Sequence, residues 1–359
     1  MLRPLCPKPN SMPTHYSTEE ADLSIAAPVI QSLWIRNLVG HDADSARDKM
    51  RLGYVENPAG LGTVVLLKAD GLPEPQGAQG LHPRLFHHGS RVLRAIGLAD
   101  YVVNAEHRSL GPALMLMRRG AQIGAERFDM VYGFPNAKAA PICARAGLTR
   151  LGSMQRYAKP MASRAHLARR LPSWLARCCA PVLDRTMEFR DALRARRASV
   201  RLVCLPAPWD DAAFDELWAM RPVDALLSER SGRMLHWRFG AEGRSAWQVC
   251  VARDPSGSSQ GYVVWRNKPG FIEVGDFFSR DPAVLTLPLV LAFVRLVRRT
   301  KVQSISIEFF GSSQVTTQLQ GAGLMQRPEN TPVFAGAATP AAFLSPQAWY
   351  LTGFDNDAD

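Results

Sequence analysis

The chain has 359 residues, 47% hydrophobic and 21% charged, with a formal net charge of +11 at pH 7. That much apolar residue excludes disorder of the whole, and scattered Gly and Pro without a heptad run exclude collagen-like and coiled-coil classes. At roughly 100–200 residues per domain the length suggests two domains. The cysteines Cys6, Cys143, Cys178, Cys179, Cys204 and Cys250 form no C-x-x-C pair and no metal-ligand spacing. Reduced thiols are expected, with neither a disulfide scaffold nor a zinc site.

Residues 1–20 are Pro-rich and polar, lack the apolar core of a secretory signal, and are expected to be a disordered tail. From 21 to 54 the pattern is helical, with Val29, Leu33, Ile35 and Leu38 near one face. A turn at 57–60 precedes a β-branched strand at 63–69 and a second strand near 81–87. A short buried strand at 99–104 leads into a helix at 109–120. A strand at 128–132, a helix at 136–146 and a strand at 152–158 follow.

Between 163 and 201 ten arginines stand against Asp184, Glu188 and Asp191. This segment has no interleaved aromatics and matches no standard nucleic-acid motif. It reads first as a solvated helical connector, 161–199, and second as a peripheral contact to an anionic membrane or polymer surface. Further on, helices are expected at 210–220, 232–239, 282–299 and 312–320, and strands at 200–205, 247–253, 261–266, 271–278 and 304–309. The apolar stretch 284–294 is far short of the ~20 residues that span a bilayer, which points to a buried helix in a cytoplasmic protein. The two halves share an order of elements, so 21–160 and 200–340 read as a duplicated domain, with 341–359 as a C-terminal tail.

The strand at 99–104 runs through a turn into a helix, and the junction reads Arg108-Ser109-Leu110-Gly111-Pro112-Ala113, an R-x-x-G-x-A pattern. Backbone N–H groups at a helix N-terminus attract anions, and small residues at Gly111 and Ala113 admit a phosphate to the main chain. About thirty residues later come Asn136, Ala139 and Gly147-Leu148.

These two motifs, in this order, resemble the GNAT acyltransferase superfamily. The resemblance covers about 21–160, with a weaker copy at about 200–336. It implies an α/β (α+β) fold of two tandem GNAT-like domains, each a mixed twisted β-sheet flanked by helices. It also implies an N-acyltransferase that moves an acyl group from acetyl-CoA or another acyl-CoA to an amine by direct attack, without a metal. Tyr101, Val102, Val103, Arg108, Ser109, Leu110, Gly111, Ala113, Asn136 and Ala139 would hold coenzyme A. A backbone N–H from 101–103 would polarise the thioester carbonyl.

Three departures stand out. Pro112 removes one N–H from the cradle. Cys143 stands where many members carry an acidic Tyr. In the second half Ser279-Arg280-Asp281-Pro282-Ala283 replaces the phosphate loop, so that half is not expected to hold coenzyme A. Asp100 is the first candidate for the general base, ahead of Glu56 and His82, and Cys143 the candidate acid. His82, His87 and His88 lie close in sequence, but strand alternation divides them between two faces, against a metal site. The acceptor is a small-molecule or polymer-precursor amine, and nothing in the sequence names it or the oligomeric state. Two other readings remain: a tRNA-dependent aminoacyl or peptidoglycan-type transferase, and a non-catalytic binding protein on a degenerate fold.

Overall fold

A computed structural model describes residues 15–196, 200–206, 209, 211–240, 247–300 and 302–356. The N-terminal half runs β1 (Tyr16–Glu20), α1 (Leu23–Asn37), α2 (Ala43–Lys49), a π-helical turn (Met50–Val55), β2 (Thr63–Ala69), β3 (Gly77–His88) and β4 (Arg91–Val103). It continues through α3 (Leu110–Arg127), β5 (Met130–Gly133), α4 (Ala140–Arg145) and β6 (Thr149–Pro160). Helices α5 (Arg164–Leu167) and α6 (Ser173–Ala195) lead to β7 (Arg201–Leu205), α7 (Asp211–Ala219), β8 (Leu226–Ser228), α8 (Gly232–Leu235) and a second π-helical turn (His236–Gly240). Then come β9 (Gln248–Arg253), β10 (Ser259–Lys268), β11 (Phe271–Ser279), α9 (Pro282–Val297), β12 (Ser304–Gly311), α10 (Ser313–Gly321), β13 (Met325–Ala335) and β14 (Trp349–Thr352).

The local chemistry of these elements is ordinary. Asp22 caps α1 by accepting from Ser24 N–H at 3.0 Å. Asp42 and Ser45 form a reciprocal capping box on α2. The predicted helix at 21–54 is therefore interrupted once, by the capped start at Asp42, after which α2 runs directly into the uncapped π-helical turn. Among the described residues no helix is long and apolar enough to cross a membrane.

Among the described residues fourteen strands join one sheet, whose main path runs β1-β2-β3-β4-β5-β13-β6-β12-β11-β10-β9-β7. Strands from the two halves interleave at the centre of the sheet. β13 lies between β5 and β6, with Phe334 opposite Gly133, and β6 pairs with β12, with Tyr157 opposite Ile307. One apolar cluster consequently mixes Phe86, Leu93 and Met154 with Phe310, Val333 and Leu351. Each such buried side chain contributes ~1.5–3 kcal/mol relative to exposure.

Several expectations are corrected. Residues 16–20 are not tail: they form β1, where Glu20 pairs with Arg119 at 3.4 Å and Arg127 at 2.6 Å on α3. The remainder of the predicted tail up to residue 14 lies outside the described residues. Nor are 341–356 a tail, since β14 pairs with β12 and β8 and buries Trp349, Tyr350, Leu351 and Phe354. The strand expected at 99–104 begins at Arg91, as one arm of a hairpin with β3. Cys204 and Cys250 are joined as a disulfide. They lie directly opposite each other on β7 and β9, an adjacency that their separation of 46 residues conceals.

In the C-terminal half β11 and β12 pair only from Phe271 to Val274 before parting, and β14 continues along β12. Beneath it Arg230, fully buried, reaches Asp276 at 3.2 Å and Asp355 at 2.8 Å, and donates to the Ser228 carbonyl at 3.0 Å. Tyr262 and Thr352 hydroxyls donate to Asp276 at 2.7 and 2.6 Å. This network ties the C-terminal segment into the sheet. Arg230→Met leaves two buried carboxylates without their cation and is expected to cost about 3–5 kcal/mol, read as a lowered urea midpoint.

Candidate active site

β3 and β4 pair in register from His88 opposite Arg91 to Gly80 opposite Ala99, then slip so that Ala78 faces Val102. The extra residue is a β-bulge at 100–101, and Asp100 sits there in the left-handed region at φ 48°. Aspartate tolerates that conformation better than most residues. A Cβ at Gly80 would overlap the Tyr54 hydroxyl, so glycine there lets Tyr54 reach across and donate to Asp100 Oδ2 at 2.7 Å. Lys49 Nζ lies 3.0 Å from Asp100 Oδ1, and His82 Nε2 lies 3.4 Å from Oδ2.

This environment changes the role expected of Asp100. Its side chain is only 5% exposed. Burial would raise its pKa, but the Lys49 ammonium, His82 and the Tyr54 hydroxyl more than offset that and hold the carboxyl well below the usual range. A base poised near neutrality needs the opposite shift. Asp100 is a pinned anion rather than a tuned base. Of the two other candidate bases, Glu56 pairs with Arg51 at 2.8 Å and His82 belongs to the Asp100 cluster.

Beyond the bulge the sheet opens. The last β4–β5 pair is Leu98 with Gly133, after which β4 stays with β3 and β5 with β13. The gap is a cleft of about 600 Å³ lined by Tyr101, Val102, Val103, Arg108, Ser109, Leu110, Ala113, Asn136 and Ala139. Nine of the ten residues expected to hold the cofactor thus share one cavity. The tenth, Gly111, lies in the first turn of α3, where an added Cβ would meet only open space. No side chain caps α3, which leaves the N–H groups of Leu110 and Gly111 without a side-chain acceptor.

The individual contacts refine these roles. Arg108 donates to the Val103 carbonyl at 2.7 Å and to Asn37 Oδ1 at 2.8 Å, tying the end of β4 to the end of α1. Tyr101 donates to the Ala113 carbonyl at 2.8 Å, bracing β4 against α3. Asn136 Oδ1 accepts from the N–H groups of Lys138 and Ala139, both at 3.0 Å. It organises the start of α4 while lining the cleft.

The cleft shares Leu38, Tyr101, Asn136 and Ala139 with an inner chamber of about 160 Å³. Leu98, Met117, Cys143, Leu148 and Phe334 supply apolar wall, and Asp100 stands at its edge. Cys143 is buried, its thiol 3.9 Å from the Met117 sulfur, and burial pushes it up to about 12. It is a neutral, weakly acidic wall residue. Lys49, which pairs with Asp100, and Phe334, which lines the chamber, are the residues of this candidate site that sequence reasoning missed. Lys49 carries no motif, and Phe334 arrives on the interleaved strand β13.

The C-terminal half is arranged differently among the described residues. There β14 occupies the parted β11–β12 edge, and Gln318 of α10 donates to the carbonyls of Pro282 and Ala283 in the first turn of α9.

No family model matches this sequence. No curated protein sequence matches it either. Among solved structures, a conserved protein of unknown function from Enterococcus faecalis, described as a probable N-acyltransferase, superposes with a TM-score of 0.64 at 11% identity, over 91% of this chain and 73% of that one. A GCN5-related N-acetyltransferase from Anabaena variabilis gives 0.62 at 14% identity, over 90% and 73%. Saccharomyces cerevisiae N-myristoyltransferase with bound myristoyl-CoA gives 0.54 at 11%, over 92% and 80%. The chain has the mixed α/β fold of the GNAT acyltransferases.

The pinned anion has a pH signature. Because the folded pKa of Asp100 is depressed, its stabilisation is present above the ordinary carboxylate range and is lost as pH falls, when the unfolded chain takes up a proton that the folded chain refuses. Asp100→Asn is expected to lower stability by about 3 kcal/mol at about pH 7, with the deficit shrinking towards about pH 3 in denaturation curves. A deficit of constant size would contradict the ion-pair assignment.

Proposed function

We propose that the N-terminal half binds an acyl-CoA between β4 and β5 and transfers its acyl group to an amine. The observation that carries this reading is the continuity of three features. The uncapped first turn of α3, the bulge-opened cleft and the inner chamber, one wall of which is apolar, lie along one path. The first would take the pyrophosphate, the second the pantetheine arm and the third the acyl group. The GNAT fold of the solved neighbours supports the same reading by analogy.

In this mechanism the amine nitrogen attacks the thioester carbonyl, the carbon–sulfur bond breaks, and the ammonium proton leaves with the thiolate or to water. A backbone N–H of 101–103 would polarise the carbonyl. Asp100, anionic throughout, would stabilise the positive charge that develops on nitrogen rather than act as a base matched to neutral pH. The chamber volume of about 160 Å³ is close to the ~150 Å³ cavity that accepts benzene, which suits a short acyl group. A binding protein without turnover is the second reading, favoured by the neutral Cys143 thiol and the fully paired Asp100. We also read the chain as a duplication in which only the first copy kept its cleft. The paired π-helical turns support this, as does the Trp237 indole of the second turn, which donates to the Leu52 carbonyl of the first at 2.8 Å.

Calorimetry with coenzyme A is expected to give one site per chain, and Gly111→Asp to abolish it while the fold persists, because a carboxylate would then block the main chain and repel phosphate. Unchanged affinity in that variant would overturn the site. A free-thiol release assay across candidate amines and acyl-CoAs of graded length then tests turnover. Cys143→Ala should cost less than about tenfold. Phe334→Ala should extend the accepted chain length, and turnover in no combination would favour the binding protein.

A further inference from the structure

The arginine-rich connector does more than span solvent. Met187, Arg190, Asp191 and Arg194 recur along α6 at helical spacing and share one face. They line a cavity of about 280 Å³ closed by Lys159 and Pro160 of β6, by Arg298 beyond α9, and by the turn from α10 into β13. It shares no lining residue with the β4–β5 cleft.

The cavity wall has an electrostatic imbalance. Lys159, Arg190, Arg194 and Arg298 face a single carboxylate, Asp191. Arg298 spends its contacts on Asp191 and on the Met161 carbonyl. Lys159, whose side chain is 6% exposed, donates to Asp191 at 2.8 Å and to the Ala322 carbonyl at 3.2 Å. An ammonium has three N–H donors, so one is left without a protein acceptor in a nearly buried group. Arg194 lies 3.9 Å from Asp191 and has no closer acidic partner among the described residues. A Cβ built on Gly323, at φ +88°, would lie 2.6 Å from both Lys159 Nζ and an Arg194 guanidinium nitrogen. Two cationic heads therefore converge over one glycine. Lys159 is nearly buried and Arg194 part-exposed, so water screens their repulsion only in part and a bound anion would relieve it.

We propose that this cavity is a binding site for a phosphate group carried by a small molecule, with Lys159 and Arg194 as its principal donors. A phosphate brings the charge and the acceptor oxygens that the wall lacks, and guanidinium and ammonium donors suit it. Occupancy would clamp α6 onto β6 and the start of β13, two of the interleaved strands.

The test is calorimetry of the full chain with inorganic phosphate at low and high ionic strength. Saturable binding in the millimolar range or tighter is expected, weakening with salt. Arg194→Ala, at a part-exposed position, should reduce affinity about tenfold or more, and Lys159→Met should do the same if it folds. Coenzyme A binding should be unchanged in both variants, which separates this site from the cleft whatever the cleft binds. No saturable phosphate binding, or affinity indifferent to Arg194→Ala, overturns the proposal. So does a short single-stranded oligonucleotide that binds far more tightly than phosphate and loses that affinity in Arg194→Ala, since the surface would then serve a polymer.

Discussion

The Lys49–Asp100 ion pair is the constraint on which the candidate site depends. A strand cannot easily hold a residue in the left-handed region and an extra position in its ladder. Here the carboxyl of that residue is fixed from three sides, by an ammonium, a phenol and an imidazole. The bulge turns β4 away from β5 after Leu98, and the space released becomes the cleft. The group first expected to move a proton is held as an anion at the bulge beside that cleft.

Strand interleaving is the second organising feature. Because β13 completes the sheet beside β5, the wall of the inner chamber includes Phe334 from the C-terminal half. The C-terminal half thus shapes a site it does not carry. Its own parted strands are occupied by β14 over the Arg230 network, and its helix start is held by Gln318. β4 and β5 part to leave a cleft, whereas β14 pairs with β12 where β11 leaves it, and that difference lies in what the chain does after β13.

Legibility in the sequence followed the range of the interactions. The order of helices and strands, the R-x-x-G-x-A turn and the Asn136 cap are local, so their residues announced them. Asp100 lines the inner chamber, but its partners stand 46 and 51 positions earlier for Tyr54 and Lys49, and only their approach reveals that it is pinned. Cys143 likewise stood at a position of interest, and burial beside Met117 made it an inert thiol.

The sequence by itself determined the mixed α/β class, the strand–turn–helix that would receive a phosphate, and the residues lining the cleft, because hydrophobic period, capping and small residues act within a few positions. Only the tertiary structure decided that β1 and β14 are strands, that Cys204 meets Cys250, that β6 and β13 interleave, and that Lys159 and Arg194 converge. Each of these joins residues far apart in the chain. A backbone edge, a thiol or a charge finds such a partner only once the sheet has assembled, and no local pattern encodes which one it will be.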